Sequence, residues 1–99
     1  MKESWLHCTI TPGQFTGEYA VEGRTHDGTG FSLFAFENDL ECDEFPTGTD
    51  RVPGWIRVLV LECQHNLVLV RLPQRTLENG NTVTVDAGQV ETRLARQEA

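Results

Sequence analysis

Two short segments place histidine close to cysteine, the residue types that bind zinc: His7-Cys8 and Cys63-Gln64-His65. Zinc sites use such ligands at recurring spacings. No CxxC or HxxxH spacing occurs in this chain. Adjacent residues of a strand point to opposite faces, so His7 and Cys8 are poorly placed to bind one ion. We predict no metal site and no cofactor, and we interpret the cysteines as thiols of a β-core.

The segment 38–53 contains five carboxylates and only one arginine, near its end. Calcium takes oxygen ligands, but the sequence NDLECDEF lacks the central glycine and the spacing of an EF-hand loop. We predict a long, solvated acidic loop. Leu40, Cys42 and Phe45 are the residues that could attach part of it to the core, as one helical turn. The sequence leaves open whether this loop is ordered.

Residues that could perform catalysis are few and scattered. Ser4 and Ser32 are the only serines, and neither lies in a nucleophile elbow. His26 and Asp27 are adjacent at a turn, where the sequence gives no reason to expect a catalytic pair. Gly28 belongs to the same turn and opens no helix, so no phosphate-binding loop is present. We predict that the protein is not an enzyme and has no catalytic residues.

Arginines provide the one candidate for binding an anion. Arg57 and Arg71 are predicted to be diagonal neighbours on one hairpin face, with Arg51 and Arg75 near them. Such a cluster on a small barrel could hold RNA, a small ligand or an acidic peptide. The favoured interpretation is that these arginines pair with carboxylates of the chain. The net charge of −7 argues against binding nucleic acid or an anionic membrane.

Length and composition indicate one soluble globular domain over residues 1–99. No uninterrupted apolar run is longer than that of residues 58–61, which is far too short to span a membrane. The N-terminus has no apolar core of a signal peptide. Three scattered cysteines are an odd number, which favours free thiols and a cytoplasmic location.

The segment 54–73 is the most apolar part of the sequence and is predicted to form the central hairpin. Its strands are Trp55–Cys63 and Leu67–Leu72, with a three-residue loop that ends in Asn66 in the left-handed conformation. Side chains alternate along each strand, and both faces of this hairpin are apolar. One face carries Ile56, Val58, Val60, Val68, Val70 and Leu72. The other carries Leu59, Leu61, Cys63, Leu67 and Leu69. Both faces should therefore be covered.

Further strands are predicted on either side of this hairpin. Ser4 to Ile10 forms the first, followed by a hairpin of Gly17–Thr25 and Thr29–Glu37 with Asp27-Gly28 as a two-residue turn. That turn sets Val21 opposite Phe34 and Tyr19 opposite Phe36, as an inward cluster. The residues predicted to be almost fully buried are Val21, Phe34, Val58, Val60, Val68 and Val70.

The C-terminal part begins with a strand, Thr82–Asp86, and is then open to two interpretations. Asp86 and Gln89 resemble a helix-capping pair, and the residues after Val90 include good helix formers. Alternatively Ala87 to Gln89 is a single turn and Val90–Thr92 a last strand before a frayed tail at 93–99. The second is favoured because so short a helix is marginal.

The predicted fold is all-β: a small antiparallel meander closed into a roughly six-stranded barrel. A short C-terminal helix or 3-10 turn could complete it. Its ending, strand, turn and short strand, is similar in layout to SH3-like barrels. The alternation of the central hairpin predicts that its valine face lines the barrel. The leucine face would then need another cover, which could be the loop 38–53, the C-terminal tail or a partner subunit.

From this face we predict a non-catalytic protein-interaction module that self-associates, as a homodimer, or docks a partner protein. The predicted interface consists of Leu59, Leu61, Leu67, Leu69, Arg57 and Arg71. Trp5 and Trp55 are open to two interpretations, because tryptophans anchor binding surfaces but also fill cores.

Overall fold

A computed structural model describes residues 2–78 and 80–94 of the chain. They form an antiparallel, all-β structure that curls into a half-barrel. The eight strands are β1 (Lys2–Pro12), β2 (Glu18–Arg24), β3 (Gly30–Phe36), β4 (Leu40–Glu41), β5 (Val52–Gln64), β6 (Leu67–Arg71), β7 (Thr82–Asp86) and β8 (Val90–Leu94). The all-β, antiparallel prediction is confirmed, whereas the number of strands exceeds the predicted six.

The two longest strands, β1 and β5, organise the sheet because each pairs with several partners along its length. The main strand order is β3-β2-β1-β5-β6-β7, while β4 pairs with β5 and β8 pairs with β1. β1 uses one edge for β5 and the other for β2 and β8 in succession. The inner face of the curled sheet holds one apolar core. Its largest fully buried side chains are Leu6, Ile10, Leu33, Ile56, Leu72, Val21, Val70 and Val85.

The β2–β3 hairpin forms as predicted, but its register is shifted by one residue. Arg24 pairs with Gly30, and the Thr25 N–H bonds to the Thr29 carbonyl, so the loop has three residues rather than two. Gly28 takes the left-handed conformation at its end, with φ of 87°. A shift of one residue exchanges the two faces of a strand. The predicted burial of Phe34 is therefore wrong.

The outward position of the aromatic residues follows from this shift. Val21 pairs with Leu33, and Tyr19 pairs with Ala35, so Leu33 and Ala35 face the core. Phe34 and Phe36 lie on the outer face and are 40% and 51% exposed. Tyr19 instead stacks on Phe45, with 4.8 Å between the ring centroids.

The β5–β6 hairpin contains two deviations from the predicted pairing that cancel each other. The loop has two residues, and His65 rather than Asn66 has positive φ, at 54°. Near the turn, Cys63 consequently pairs with Val68 and not with the leucines. A β-bulge at Leu61 then restores the predicted pairing of Val60 with Val70.

The valine face lines the core, as predicted, along most of this hairpin. Val58, Val68 and Val70 are buried, but Val60 is only half-buried, contrary to the prediction. Val60 lies beside the bulge, where β5 bends and runs on toward an exposed tip. A hydrogen bond connects this tip to the turn after β7: the Ala87 N–H donates to the Asn66 carbonyl at 2.7 Å.

The acidic segment 38–53 is not a single loop. It contains the end of a 3-10 turn (Glu37–Asp39), the strand β4 and the first residues of β5. Leu40 is buried, and Cys42 and Phe45 pack against the core, which confirms the predicted points of attachment. The carboxylates of Asp43, Glu44 and Asp50 remain at the surface.

The C-terminal part follows the favoured interpretation. A 3-10 turn (Ala87–Gln89) links β7 to β8, and β8 pairs with β1 from Leu6↔Val90 to Lys2↔Leu94. The Asp86–Gln89 contact forms at this turn, with the Asp86 N–H donating to Gln89 Oε1 at 2.8 Å. The strand includes residues 93 and 94 of the predicted frayed tail, and 95–99 lie outside the described residues.

Candidate functional site

The four leucines of the β5–β6 hairpin, Leu59, Leu61, Leu67 and Leu69, form the surface that we call the leucine patch. Leu59 is 57% exposed, Leu61 39% and Leu67 37%, while Leu69 is partly buried. The alternation of β6 puts Leu67 and Leu69 on its outer face, since Val68 and Val70 point into the core. Leu61 is the extra residue of the bulge.

The two arginines predicted to flank the leucine patch are in different surroundings. Arg57 is directed toward the neighbouring strands: its guanidinium donates to the Asn38 carbonyl at 3.1 Å and lies 3.9 Å from Glu3. Arg71 pairs with Leu59 across the hairpin and is exposed. Among the described residues Arg71 has no ion pair. Of the two arginines, Arg71 is therefore the one that remains available beside the leucines.

A second cluster on the outer face surrounds Trp5, which is only 6% exposed although it points away from the core. The guanidiniums of Arg57 and Arg93 each lie 5.2 Å from the centroid of its ring. Arg93 also lies 5.9 Å from the Trp55 ring and forms an ion pair with Glu41. This arrangement supports the interpretation of Trp5 as a packed residue.

Arg93 was missed by the sequence reasoning, because it was assigned to a frayed tail. Its position depends on the pairing of β8 with β1, which places Arg93 opposite Glu3 and two residues from Glu91, the partner of Trp5, and the sequence carries no signal for this pairing. A cation on the outer face of an edge strand is well placed to cover an aromatic ring on the next strand.

The predicted arginine cluster is only partly assembled. Arg57 and Arg71 are diagonal neighbours, as the pairing of Leu59 with Arg71 requires. Arg51 lies at the other end of β5 and pairs with Glu22 at 3.0 Å. Arg75 is exposed in the segment between β6 and β7. Because Arg51, Arg57 and Arg93 already contact carboxylates, little cationic surface remains for a polyanion.

Two pockets adjoin His7. The larger, about 520 Å³, opens where β2 and β8 diverge along β1, and its charged lining residues include Glu22, Arg24, Arg51 and Glu78. Glu78 is held by Ser32, whose N–H and hydroxyl both donate to the carboxylate at 2.8 Å. These hydrogen bonds lower the pKa of Glu78. The smaller pocket, about 470 Å³, is bounded by Trp55 and the residues around Cys42.

The histidines and cysteines do not converge. His7 is exposed and stacks edge-on against Trp55 at 5.3 Å, whereas Cys8 is buried on the opposite face. Within residues 2–78 and 80–94, no group of three His, Cys, Asp or Glu side chains could hold a metal ion. All three cysteines are free. Cys63 lies exposed near the hairpin tip, which corrects its interpretation as a core thiol.

The three thiols are expected to differ sharply in their reactivity. Burial raises the pKa of Cys8 to about 12, and nearby Cys42 adds to the shift. Burial and the carboxylates around it also raise the pKa of Cys42. The thiolate is the reactive form, so a neutral, buried thiol reacts slowly.

Iodoacetamide should modify Cys63 first and Cys8 only after unfolding, as measured by peptide mass spectrometry. Labelling of Cys8 at the same rate as Cys63 would contradict this burial.

The adjacent His26 and Asp27 stabilise a turn. The hydroxyl of Thr25 and the N–H of Thr29 both donate to Asp27 Oδ1, the latter at 3.1 Å. These hydrogen bonds, with that from Thr25 as the largest cause, lower the pKa of Asp27 to about 2. The His26 N–H donates to the Thr84 carbonyl at 2.9 Å and so links the hairpin tip to β7.

A scan against protein-family models and searches of curated proteins and solved structures found no match to this chain. Among the described residues there is no helix with the length and apolar character needed to cross a membrane.

Proposed function

We propose that this protein is a non-catalytic interaction module that forms a homodimer through the leucine patch. The observation that carries the proposal is the exposure of three large apolar side chains, Leu59, Leu61 and Leu67, on a single hairpin. Monomers rarely expose contiguous apolar patches larger than a few hundred Å², and the largest apolar patch of a protein is often an interaction site. An apolar centre with a charged rim is the usual composition of a subunit interface. A two-fold dimer is the commonest closed assembly.

The acidic segment, which could have covered the leucines, packs elsewhere. β4 pairs with Trp55 and Ile56, so it lies beside the first half of β5 and not beside Leu59. Phe45 lies against Tyr19 of β2. A second copy of the chain is therefore the occupant that we favour.

The proposal includes an SH3-like strand layout and a cytoplasmic location. The layout is supported by the order of β7, 3-10 turn and β8, together with the pairing of β8 with β1 and of β1 with β5. In this layout the β2–β3 hairpin lies within the long connection between β1 and β5, the first two strands of the proposed barrel. A reducing compartment is supported by the three free cysteines.

A barrel that binds a small ligand is the second candidate. It is favoured by the larger pocket beside His7, whose volume of about 520 Å³ is typical of ligand sites. It ranks second because the charges there already have partners: Arg51 pairs with Glu22, and Ser32 holds Glu78. Nucleic acid is not expected as the ligand, given the net charge of −7.

The substitution Leu59→Glu is expected to weaken the dimer at least tenfold, because it places a charge at the most exposed leucine of the patch. Light scattering at micromolar concentration should give twice the chain mass for the wild type and the monomer mass for the variant. Leu77→Glu is the matched control, since Leu77 is 66% exposed but lies outside the patch. A monomeric wild type, or equal dissociation by both substitutions, would refute the proposal.

A further inference from the structure

Four outer-face residues of the β5–β6 hairpin stand at the corners of a quadrilateral. Leu59 pairs with Arg71, and Glu62 pairs with Leu69. Glu62 follows the bulge on β5, and Arg71 lies two residues beyond Leu69 on β6, so both pairs occupy the same face. The two leucines therefore lie on one diagonal, and the two opposite charges lie on the other.

Both charges at these corners are exposed. In the part of the chain that the structure describes, neither Glu62 nor Arg71 forms an ion pair, including with each other. Diagonal positions of a sheet are farther apart than directly opposite ones, about 7–8 Å between backbones. The hairpin thus exposes a positive charge on one side of the Leu59–Leu69 diagonal and a negative charge on the other. Neither charge forms an ion pair within the described part of the chain.

This arrangement is self-complementary under one symmetry operation. A two-fold axis that lies in the plane of the face, along the Leu59–Leu69 diagonal, brings each leucine onto its own copy. The sides of the quadrilateral are similar in length, about 6.6 Å along a strand and about 5 Å between strands, so the same operation brings Glu62 close to the position of Arg71 in the other copy, and the reverse. Isologous interfaces require this property, since the same surface must fit itself.

We propose that two chains associate about this axis, with leucines in contact along it and two reciprocal ion pairs between Glu62 of one chain and Arg71 of the other. This inference rests on the proposed homodimer and adds its geometry and its selectivity. Exposed ion pairs contribute modestly to affinity, but like charges brought together are costly. The reciprocal pairs therefore fix the register of the two hairpins and disfavour other alignments of the leucines.

Two single charge reversals test the proposal. In an Arg71→Glu homodimer, Glu62 faces a glutamate at both contacts, and in a Glu62→Arg homodimer Arg71 faces an arginine at both. Each variant alone should dimerise at least about tenfold more weakly than wild type, by analytical ultracentrifugation at low salt. An equimolar mixture of the two should restore the wild-type Kd to within about threefold, because both contacts of the heterodimer are then opposite charges.

The mixture distinguishes contacts between chains from contacts within one. An ion pair within a chain would be broken in both variants and could not be repaired by mixing them. Arg75→Glu, a reversal at an exposed arginine outside the hairpin, should leave the dimer unchanged. Far-ultraviolet circular dichroism of every variant should match the wild type, because all three positions are exposed.

The outcomes distinguish failure of the proposed function from failure of the reciprocal pairing alone. A wild type that stays monomeric removes the proposed function itself. A dimeric wild type whose two variants fail to recover on mixing overturns only the reciprocal pairing, and leaves the leucine patch as the interface. Recovery on mixing, together with dissociation by Leu59→Glu, supports both.

Discussion

Replacement of Trp5 by alanine is expected to lower the free energy of unfolding by about 3–5 kcal/mol, the range for large aromatic truncations at packed sites. Trp5 is 6% exposed, yet it lies on the face of β1 opposite Leu6 and Cys8. Its cover consists of the side chains of Arg57 and Arg93. The loss combines the buried area of the indole with two cation–π contacts.

Urea unfolding followed by circular dichroism, at one fixed protein concentration, measures this change without relying on tryptophan fluorescence. Phe15→Ala is the control, because Phe15 is 70% exposed and its truncation should change the free energy by less than about 0.5 kcal/mol. A cost below 1 kcal/mol for Trp5→Ala would mean that the arginines do not form a packed layer over the indole.

The strands were predictable because alternation of apolar residues is strong in this chain, whereas the loops that set their register were not. Asp27-Gly28 is an established signal for a two-residue turn, but the structure uses Gly28 as the last residue of a three-residue loop. Both loops suit a glycine with positive φ. Hydrogen bonds of Thr25 and Thr29 with Asp27 favour the longer one, and their effect could not be read from the dipeptide.

In the β5–β6 hairpin, the face of most residues was predicted correctly although the length of the loop was not. A three-residue loop was expected and a two-residue loop forms, which alone would have reversed the faces of β5. The bulge at Leu61 introduces the compensating residue, so Val60 meets Val70 and Leu59 meets Arg71. Only the segment between bulge and turn differs, and there Glu62 rather than Leu61 lies opposite Leu69. The position of Glu62 opposite Leu69, on which the proposed ion pairs depend, could therefore not be predicted from the sequence.

The exposed leucines and the neighbouring Arg71 were predictable from the sequence, but the surroundings of Arg57 were not. The alternation of β6 was sufficient to separate Leu67 and Leu69 from the valines. Arg57 was placed on the correct strand, yet its engagement with Asn38 and Trp5 depends on β4 and β1, which are distant in sequence. Which groups a long side chain such as Arg57 contacts is therefore determined by the pairing of the strands in the folded sheet.

At Gly54 of β5, atoms of β1 and β4 come so close to the backbone that a side chain would not fit, which explains why the most apolar segment of the chain begins with glycine. Gly54 pairs with Cys8 and is buried. A Cβ at this position would lie 2.4 Å from Ile10 Cδ1 and 2.8 Å from the carbonyl oxygen of Glu41. The Glu41 carbonyl is fixed by the pairing of β4 with β5, so it has little freedom to move away.

Gly54→Ala is therefore expected to cost about 3 kcal/mol of folding free energy, the upper part of the usual range for overpacking. Gly88→Ala is the matched control: no atom lies within 4 Å of its would-be Cβ, and its φ is not positive. That substitution should leave stability unchanged or raise it by up to about 1 kcal/mol, because alanine restricts the unfolded chain. Thermal and urea unfolding of both variants give the comparison. Equal stabilities would show that β4 does not pack over Gly54, and that the acidic segment is not attached to the sheet at this point.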